Sequence, residues 1–150
     1  MSPFPARALA LGLAVLVAGC SGEARQTPGP GFDGARAFAH VREMVAIGPR
    51  PAGSAGADRT RAYITAELDR LGIAWTTQAF EAATPLGAVR MANLIATLPG
   101  ERTDRIALAT HFDTKLFRDI TFVGANDGGS STGAVLELAR VLKDRPRSFT

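Results

Sequence analysis

The sequence predicts a three-layer α/β/α domain with a mixed, mainly parallel sheet that is incomplete at its C-terminus. Three observations favour this fold class. Helical patterns of apolar residues precede and follow a group of short apolar runs that are typical of strands. One of these runs is nearly all apolar, as expected for a central strand buried on both faces. The sequence then stops in polar residues after a helix, where a parallel sheet normally continues, so we expect a fragment; the alternative is a short but complete domain.

The first nineteen residues predict export of the protein. A single charged residue, Arg7, precedes the apolar stretch Ala8–Ala18, which is too short to span a bilayer comfortably. The following Gly19-Cys20 resembles the end of a bacterial lipoprotein signal, in which the cysteine is lipidated and becomes the first residue. We therefore expect residues 1–19 to be a lipoprotein signal peptide. The alternative is an ordinary secretory signal that ends near a cysteine.

A lipid on Cys20 would anchor the protein in the bacterial cell envelope, on the periplasmic or outer surface. Residues 20–31 are polar and rich in Pro and Gly, which predicts a flexible tether, and residues 32–150 form the predicted catalytic domain. Cys20 is the only cysteine, which excludes an internal disulfide. The net charge is +3 and no basic cluster follows a helix face, so nucleic acid is not expected as a partner.

Two helices are expected at the start of the domain. Asp33 can cap a helix over Phe32–Gly48, whose apolar face contains Phe38, Val41 and Val45. Residues 48–56 are rich in proline and glycine and cannot form regular structure. A second helix is predicted over Ala57–Leu71, and Gly72 is a suitable stop for it.

Three strands and a last helix follow. The strands are predicted over Trp75–Glu81, Met91–Leu98 and Ile106–Thr110, the last of these being the central buried one. Residues 84–87 are expected to form the turn between the first two strands. The last helix is predicted over Ser131–Lys143, and Pro146 ends it. Its expected inner face consists of Val135, Leu138, Val141 and Leu142.

Three polar residues lie where α/β proteins build sites. His111 and Asp113 come directly after the buried strand, on the same side of an extended chain, so that the carboxylate can orient the imidazole. Asp127 lies between glycines that permit an unusual backbone, just before a helix. An isolated His-x-Asp pair is often a surface feature, and Asn-Asp-Gly-Gly is often a turn or a helix cap. The positions of the three residues, at a strand end and at a helix entrance, add support for a metal site, and the alternatives stay open.

The segment Thr110–Asp127 resembles the zinc-dependent aminopeptidases of the co-catalytic type, in which a histidine of an HxD motif and an aspartate of a G-x-N-D motif bind zinc. It is more similar to the animal-type glutaminyl cyclases (glutaminyl-peptide cyclotransferases), which share this zinc aminopeptidase-like fold. Lys115 within His-Phe-Asp-Thr-Lys-Leu-Phe, and the Phe-Val-Gly-Ala run at Phe122–Ala125, favour the cyclases. The Gly-Gly-Ser run at Gly128–Ser130 is nearer to the peptidases. Residues 50–54 are similar to both groups.

The resemblance to the cyclases implies one zinc, bound by Asp127, and conversion of the N-terminal glutamine of peptides or proteins to pyroglutamate with release of ammonia. The resemblance to the aminopeptidases implies two zincs that share Asp127, with His111 on the second. In both cases Asp113 and Lys115 support the site, while the general base glutamate and the other ligands are expected beyond Thr150. This chain alone is therefore expected to be inactive. A non-catalytic binding ectodomain of the same fold is the alternative to an enzyme.

Three further expectations concern single positions. Cysteines joined by a disulfide occupy the positions of Thr110 and Thr132 in the animal cyclases, so that covalent link is absent here. The resemblance implies a cis peptide bond after Asp127. His40, the only other histidine, is expected to be solvated or to cap a helix.

Overall fold

The computed structural model describes residues 31–150. It contains the helices α1 (Gly34–Ile47), α2 (Ala55–Arg70) and α3 (Ser131–Leu142) and the strands β1 (Trp75–Thr84) and β2 (Gly87–Ala96). The predicted signal peptide, Cys20 and all of the predicted tether except Gly31 lie outside the described residues. Between residues 31 and 150, none of the helices has the length and apolar character needed to cross a bilayer.

Side chains fix where the first two helices begin. The Asp33 carboxylate accepts hydrogen bonds from the backbone N–H groups of Ala35 and Arg36, which confirms the predicted cap of α1. Ser54 accepts from the backbone N–H of Ala57, and α2 therefore begins two residues before the predicted Ala57. The helix ends before Gly72, whose φ of 68° is the left-handed conformation that glycine favours.

The buried faces of α1 and α3 differ from the predicted ones. Phe38 was expected to point inward but is 61% exposed, and the buried face of α3 centres on Thr132, Gly133, Leu136 and Glu137. Close contact between α1 and α3 explains why their buried faces differ from the predicted ones. A Cβ on Gly133 would lie 2.5 Å from the carbonyl oxygen of Ala37, so the absent side chain lets the backbones approach.

The two strands form an antiparallel hairpin that is longer than predicted. Its register pairs Trp75 with Ala96 and Thr84 with Gly87. In the turn, the Thr84 hydroxyl donates to the Gly87 carbonyl oxygen and accepts from the Leu86 backbone N–H. These two hydrogen bonds close the turn and confirm its prediction.

The prediction of a buried strand over Ile106–Thr110 is wrong for the described residues. The segment belongs to no strand or helix, and Ile106 and Leu108 are 62% and 58% exposed. Thr150 donates to the Asp104 carbonyl and accepts from the Ile106 N–H, which is the hydrogen-bond pattern of parallel strands at one residue only. Between residues 31 and 150 the only sheet is the two-stranded hairpin. The three-layer, mainly parallel arrangement stays a prediction.

The apolar core lies between α2, α3 and the hairpin. Ile64, Leu68, Ile73 and Leu136 form its buried centre, and Leu94, Leu98 and Phe112 pack against them. Phe112 is the neighbour of His111, so packing of its ring helps to fix the position of the predicted site segment.

Buried polar groups also hold α1 in place. The Glu137 side chain of α3 is fully buried and accepts hydrogen bonds from the Asp33 backbone N–H and from Arg140. His40 is 8% exposed, and its Nδ1 lies 2.6 Å from the Tyr63 hydroxyl oxygen of α2. The expectation of a solvated or capping histidine is therefore wrong, because the buried face of α1 includes His40 and Tyr63 supplies its polar partner.

Candidate functional site

The structure brings His111, Asp113 and Asp127 together. The Nε2 atom of His111 lies 3.2 Å from Oδ1 of Asp127, and its Nδ1 lies 3.4 Å from Oδ1 of Asp113. The Nδ1 atom is also 3.2 Å from the backbone oxygen of Asp113. The imidazole is thus held between two carboxylates. All three side chains are about half exposed, at 56%, 44% and 56% for His111, Asp113 and Asp127, so the site is open to solvent.

Threonine side chains attach the His111 segment to the start of α3. The Thr132 hydroxyl donates to the His111 carbonyl oxygen over 3.0 Å. The Thr110 hydroxyl donates to the Ser131 hydroxyl oxygen. The resemblance to animal cyclases placed a disulfide between the positions of Thr110 and Thr132. Here hydrogen bonds from both threonines link the same two segments.

Two glycines shape the backbone around Asp127. Gly124 and Gly128 have φ values of 49° and 78°, and Asp127 between them has a non-helical φ of −76° and ψ of 108°. A Cβ on Gly128 would lie 3.1 Å from Cε1 and Nδ1 of His111. Gly128 therefore allows the unusual backbone that the sequence predicted for the flanking glycines. Its missing side chain also lets the backbone approach the imidazole.

The expectation of a cis peptide bond after Asp127 is wrong. No cis peptide bond occurs between residues 31 and 150. The positive φ of Gly128 supplies the change of chain direction that follows Asp127.

Arg50 is a fully buried charged residue of this region to which the sequence analysis assigned no role. Its side chain has no exposed surface, and its guanidinium donates to the carbonyl oxygens of Phe112, Val123 and Gly124. Burial lowers the pKa of Arg50, and the charges of Asp113 and Asp127 oppose that shift. The available signal was its place in Pro49-Arg50-Pro51, because a segment that cannot form its own secondary structure leaves a long donor side chain free to bind other segments.

Lys115 lies at the rim of the site. Its Nζ atom is 5.1 Å from the centroid of the Phe117 ring, within reach of a cation–π contact. The Phe117 ring in turn meets Phe122 edge to face at 5.3 Å. The contact found for Lys115 is therefore with the loop between His111 and Asp127, rather than with the carboxylates.

The donors of this site suit zinc in kind. Imidazole nitrogen and carboxylate oxygen are usual zinc ligands, and two such donors on a tetrahedral zinc would be about 3.3 Å apart. The 3.2 Å between Nε2 of His111 and Oδ1 of Asp127 is close to that separation, and it is also within reach of a hydrogen bond. The part of the chain that the structure describes contains no group of three or more His, Cys, Asp or Glu side chains able to hold a metal. His111 and Asp127 therefore fit a portion of a zinc site.

Part of the chain is similar to a known family of enzymes. Residues 93–150 match the model of Peptidase family M28. The chain is 36% identical over 97 residues to the glutaminyl-peptide cyclotransferase-like protein of Mus musculus. The aligned region covers 62% of this chain and 25% of the mouse protein. The chain thus spans about a quarter of the length of the curated relatives it matches.

Solved structures with the same fold include both cyclases and a peptidase. A glutaminyl cyclase from an Acidobacteriales bacterium aligns with a TM-score of 0.73 and 36% identity, over 83% of this chain and 43% of the cyclase. A leucine aminopeptidase precursor from Bacteroides thetaiotaomicron aligns with a TM-score of 0.71 and 29% identity, over 76% of this chain and 43% of that protein. The fold is therefore of the glutaminyl cyclase and aminopeptidase type.

Proposed function

We propose that this chain, which carries part of a Peptidase family M28 domain, belongs to a zinc-dependent glutaminyl-peptide cyclotransferase. The enzyme would convert the N-terminal glutamine of peptides or proteins to pyroglutamate and release ammonia. The observation that carries the proposal is the pairing of His111 with Asp127 in a chain that is 36% identical to glutaminyl-peptide cyclotransferase relatives. Lys115 and the run Phe122–Ala125 are the local features that favour a cyclase.

In this proposal the carboxylate of Asp127 would hold the zinc. When bound there, zinc would supply Lewis-acid chemistry suited to polarising the γ-carboxamide carbonyl of the substrate. The imidazole of His111 would orient the Asp127 carboxylate, since its Nε2 lies 3.2 Å from Oδ1. Asp113 would fix the imidazole from the opposite side, as carboxylates commonly do for histidines near metals. We assign the proton transfers to no residue between 31 and 150.

The second candidate is an aminopeptidase with two zincs. Here His111 would itself be a ligand of the second ion, and Asp127 would bind both. Its support is the short separation of the two donors and the similarity to the leucine aminopeptidase precursor. A non-catalytic binding domain of the same fold is less favoured, because the site keeps both candidate ligands and places them face to face.

We also propose that the protein acts in the bacterial cell envelope, attached through a lipid on Cys20. The support is the apolar stretch that ends at Gly19-Cys20. Metabolic labelling of cells with a clickable palmitate analogue tests this attachment. The label should follow the wild-type protein into the membrane fraction, and the Cys20→Ser variant should carry none. Labelled Cys20→Ser protein would refute a lipid at this position.

Activity assays on the full-length protein separate the two reactions. The protein is incubated with a peptide that begins with glutamine and, separately, with one that begins with leucine, and both ammonia and free amino acids are measured. A cyclase releases ammonia from the first peptide and leaves the second intact. Release of free leucine without ammonia would replace the cyclase proposal by the peptidase. The control is a peptide with N-acetylglutamine, which lacks the attacking amine and should give no ammonia.

A chelator then tests the role of the metal. We expect dipicolinate to abolish ammonia release from the glutaminyl peptide and equimolar zinc to restore it. Full activity in protein shown by elemental analysis to contain no zinc would refute the zinc dependence.

A further inference from the structure

We infer that Arg50 is a positioning residue that holds the His111 segment and the Asp127 segment at their observed separation. The inference rests on the proposed function only for its kinetic consequence. In the structure, one buried guanidinium sets the relative position of His111 and Asp127.

The guanidinium donates to four carbonyl oxygens. One of them belongs to Met44 of α1, which Nη1 reaches over 3.4 Å, and the other three belong to the segments of the site. Nε donates to the oxygen of Phe112, the residue between His111 and Asp113. Nη1 and Nη2 donate to the oxygens of Val123 and Gly124 over 2.6 and 2.8 Å, in the loop that leads to Asp127. One side chain thus bridges the two segments that carry the candidate ligands.

A guanidinium is suited to this task because its donors form a rigid planar fork. The distance between the Phe112 carbonyl and the Val123 and Gly124 carbonyls is therefore set by covalent geometry rather than by flexible torsions. A lysine at this position has a single ammonium on a flexible stem, and it cannot reproduce the directions of all three bonds. The expected loss in Arg50→Lys is one of alignment between the two segments.

Backbone hydrogen bonds of Arg50 hold its own segment in place, so the positioning role of the guanidinium can be tested separately from folding. The Arg50 N–H donates to the Thr114 hydroxyl over 3.0 Å, and the Thr114 N–H donates to the Arg50 carbonyl over 3.2 Å. These bonds do not involve the guanidinium, so we expect them to persist when the side chain is changed. The 49–51 segment therefore stays docked on the His111 segment in Arg50→Lys, while the link to Val123 and Gly124 is weakened.

The matched control is Glu137→Gln. Glu137, like Arg50, is a fully buried charged residue that joins distant segments, but it links α1 to α3 and contacts none of His111, Asp113 and Asp127 among its described partners. Its substitution reproduces the cost of damaging a buried polar network. If Arg50→Lys perturbs the candidate site more than Glu137→Gln does, the difference is due to the position of Arg50 next to the site.

Two readouts on the full-length protein test the inference. The first is the pair of imidazole nitrogen resonances of His111 in ¹⁵N-histidine-labelled protein, assigned with His111→Gln. The second is the pair kcat and KM for ammonia release from a glutaminyl peptide. We expect Arg50→Lys to shift the His111 resonances and to lower kcat about 100-fold with little change in KM, as a misplacement of about 1 Å would. Glu137→Gln should lower the thermal midpoint and leave the resonances in place.

Chemical rescue adds an outcome that a purely structural role does not produce. In Arg50→Ala, millimolar guanidinium should return the His111 resonances toward their wild-type positions, and equal urea should not. The inference fails if Arg50→Lys leaves the resonances unchanged, or if Glu137→Gln of equal thermal loss shifts them as much. The resonances report on Arg50 even if the wild-type protein releases no ammonia, so failure of the proposed function is seen separately in the wild-type assay.

Discussion

Nε2 of His111 faces Oδ1 of Asp127 at 3.2 Å, while Nδ1 of the same ring faces Asp113. A neutral imidazole has one N–H group and can donate to only one of these carboxylates. When Nδ1 donates to Asp113, the lone pair of Nε2 points toward a carboxylate oxygen, and a cation between them would satisfy both. A cation held in this way makes His111 a ligand, as in the two-zinc candidate, whereas donation from Nε2 to Oδ1 orients the Asp127 carboxylate, as in the one-zinc candidate. Asp127 is a ligand in both cases, and this motivates the first prediction.

Asp127→Asn should remove both zinc and activity from the full-length protein. The amide keeps the shape of the side chain but loses the negative charge that binds the cation, so we expect ammonia release to fall about 100-fold or more. Elemental analysis for zinc and the ammonia assay measure the two effects. Retention of one tightly bound zinc together with wild-type kcat in Asp127→Asn would contradict the assignment of Asp127 as a ligand.

His111→Gln separates one zinc from two. If the enzyme is a cyclase with one zinc, the variant keeps its zinc and loses about 10-fold to 100-fold in kcat, because only the orientation of Asp127 suffers. If two zincs are present, the variant binds one fewer zinc per chain and loses activity almost completely. The zinc stoichiometry of wild type and variant, measured side by side, decides between these outcomes.

Gly128→Ala should displace the imidazole of His111. A Cβ at this position would lie 3.1 Å from two atoms of that ring and 3.0 Å from the Asp113 carbonyl oxygen, and φ at 78° adds strain for alanine. We expect kcat to fall at least 10-fold and the free energy of unfolding to drop by about 1–2 kcal/mol. Urea titration and the ammonia assay measure the two quantities.

Gly72→Ala is the control for Gly128→Ala. Gly72 has a similar φ of 68°, but a Cβ there would meet nothing within 4 Å. Gly72→Ala should therefore lower the free energy of unfolding by a similar amount and leave kcat unchanged. Equal kcat in the two variants would show that the close approach of Gly128 to the His111 ring has no role in the site.

The sequence predicted the local parts of this structure well. The Asp33 cap, the stop at Gly72 and the turn at residues 84–87 each depend on side chains or glycines within a few residues, so their signals are local. His111 and Asp113 could be placed on one side of an extended chain from alternation alone. The sequence placed Asp127 at a helix entrance, and only the resemblance to the zinc enzymes implied that it shares a site with His111.

Long-range packing was outside the reach of sequence patterns. The buried face of α3 is set by the absent side chain of Gly133 against Ala37, which no hydrophobic period reveals. Ile106–Thr110 has the composition of a central strand, but among the described residues its backbone groups lack the neighbouring strands that define a ladder. The role of Arg50 was missed because its partners are backbone carbonyls, and its place between two prolines does not indicate which segments it binds.

Glu137→Gln should destabilise the protein without changing its specificity. The carboxylate is fully buried, and its partners Arg140, Arg36 and the Asp33 N–H would lose a charged acceptor, so we expect a loss of about 3 kcal/mol in the free energy of unfolding. Urea titration measures the loss. A change below about 0.5 kcal/mol would contradict a net stabilising role for this network.

Acid should weaken the same network. Burial alone raises the pKa of Glu137, but the hydrogen bonds from Arg140 and the Asp33 N–H and the charges of Arg140 and Arg36 outweigh it, so the pKa lies below its ordinary value of 4.5. A lowered folded-state pKa contributes stability above the ordinary value, and this contribution is lost as the pH falls toward the folded pKa. Below pH 4.5 the unfolding free energies of wild type and Glu137→Gln should therefore converge.

His40 should make the protein less stable as the pH falls below 6.5. Burial lowers the pKa of His40; Glu67 and Glu137 oppose the shift, while Arg70 and Arg36 add to it. Because the folded pKa lies below the ordinary value of 6.5, unfolding takes up a proton between the two values. Stability is therefore complete above pH 6.5 and declines from there toward the folded pKa. Thermal midpoints at pH 7.5 and 5.5 measure the decline.

Two variants isolate the contribution of His40 from that of other titrating groups. His40→Gln keeps a polar side chain but cannot titrate, so its midpoint should fall less than that of wild type between pH 7.5 and 5.5. Tyr63→Phe removes the hydroxyl 2.6 Å from Nδ1 but leaves a buried imidazole, so it should lower stability at pH 7.5 and keep the acid sensitivity. An acid-induced fall in His40→Gln as large as that of wild type would assign the sensitivity to other residues, because in that variant no imidazole remains at this position to take up the proton.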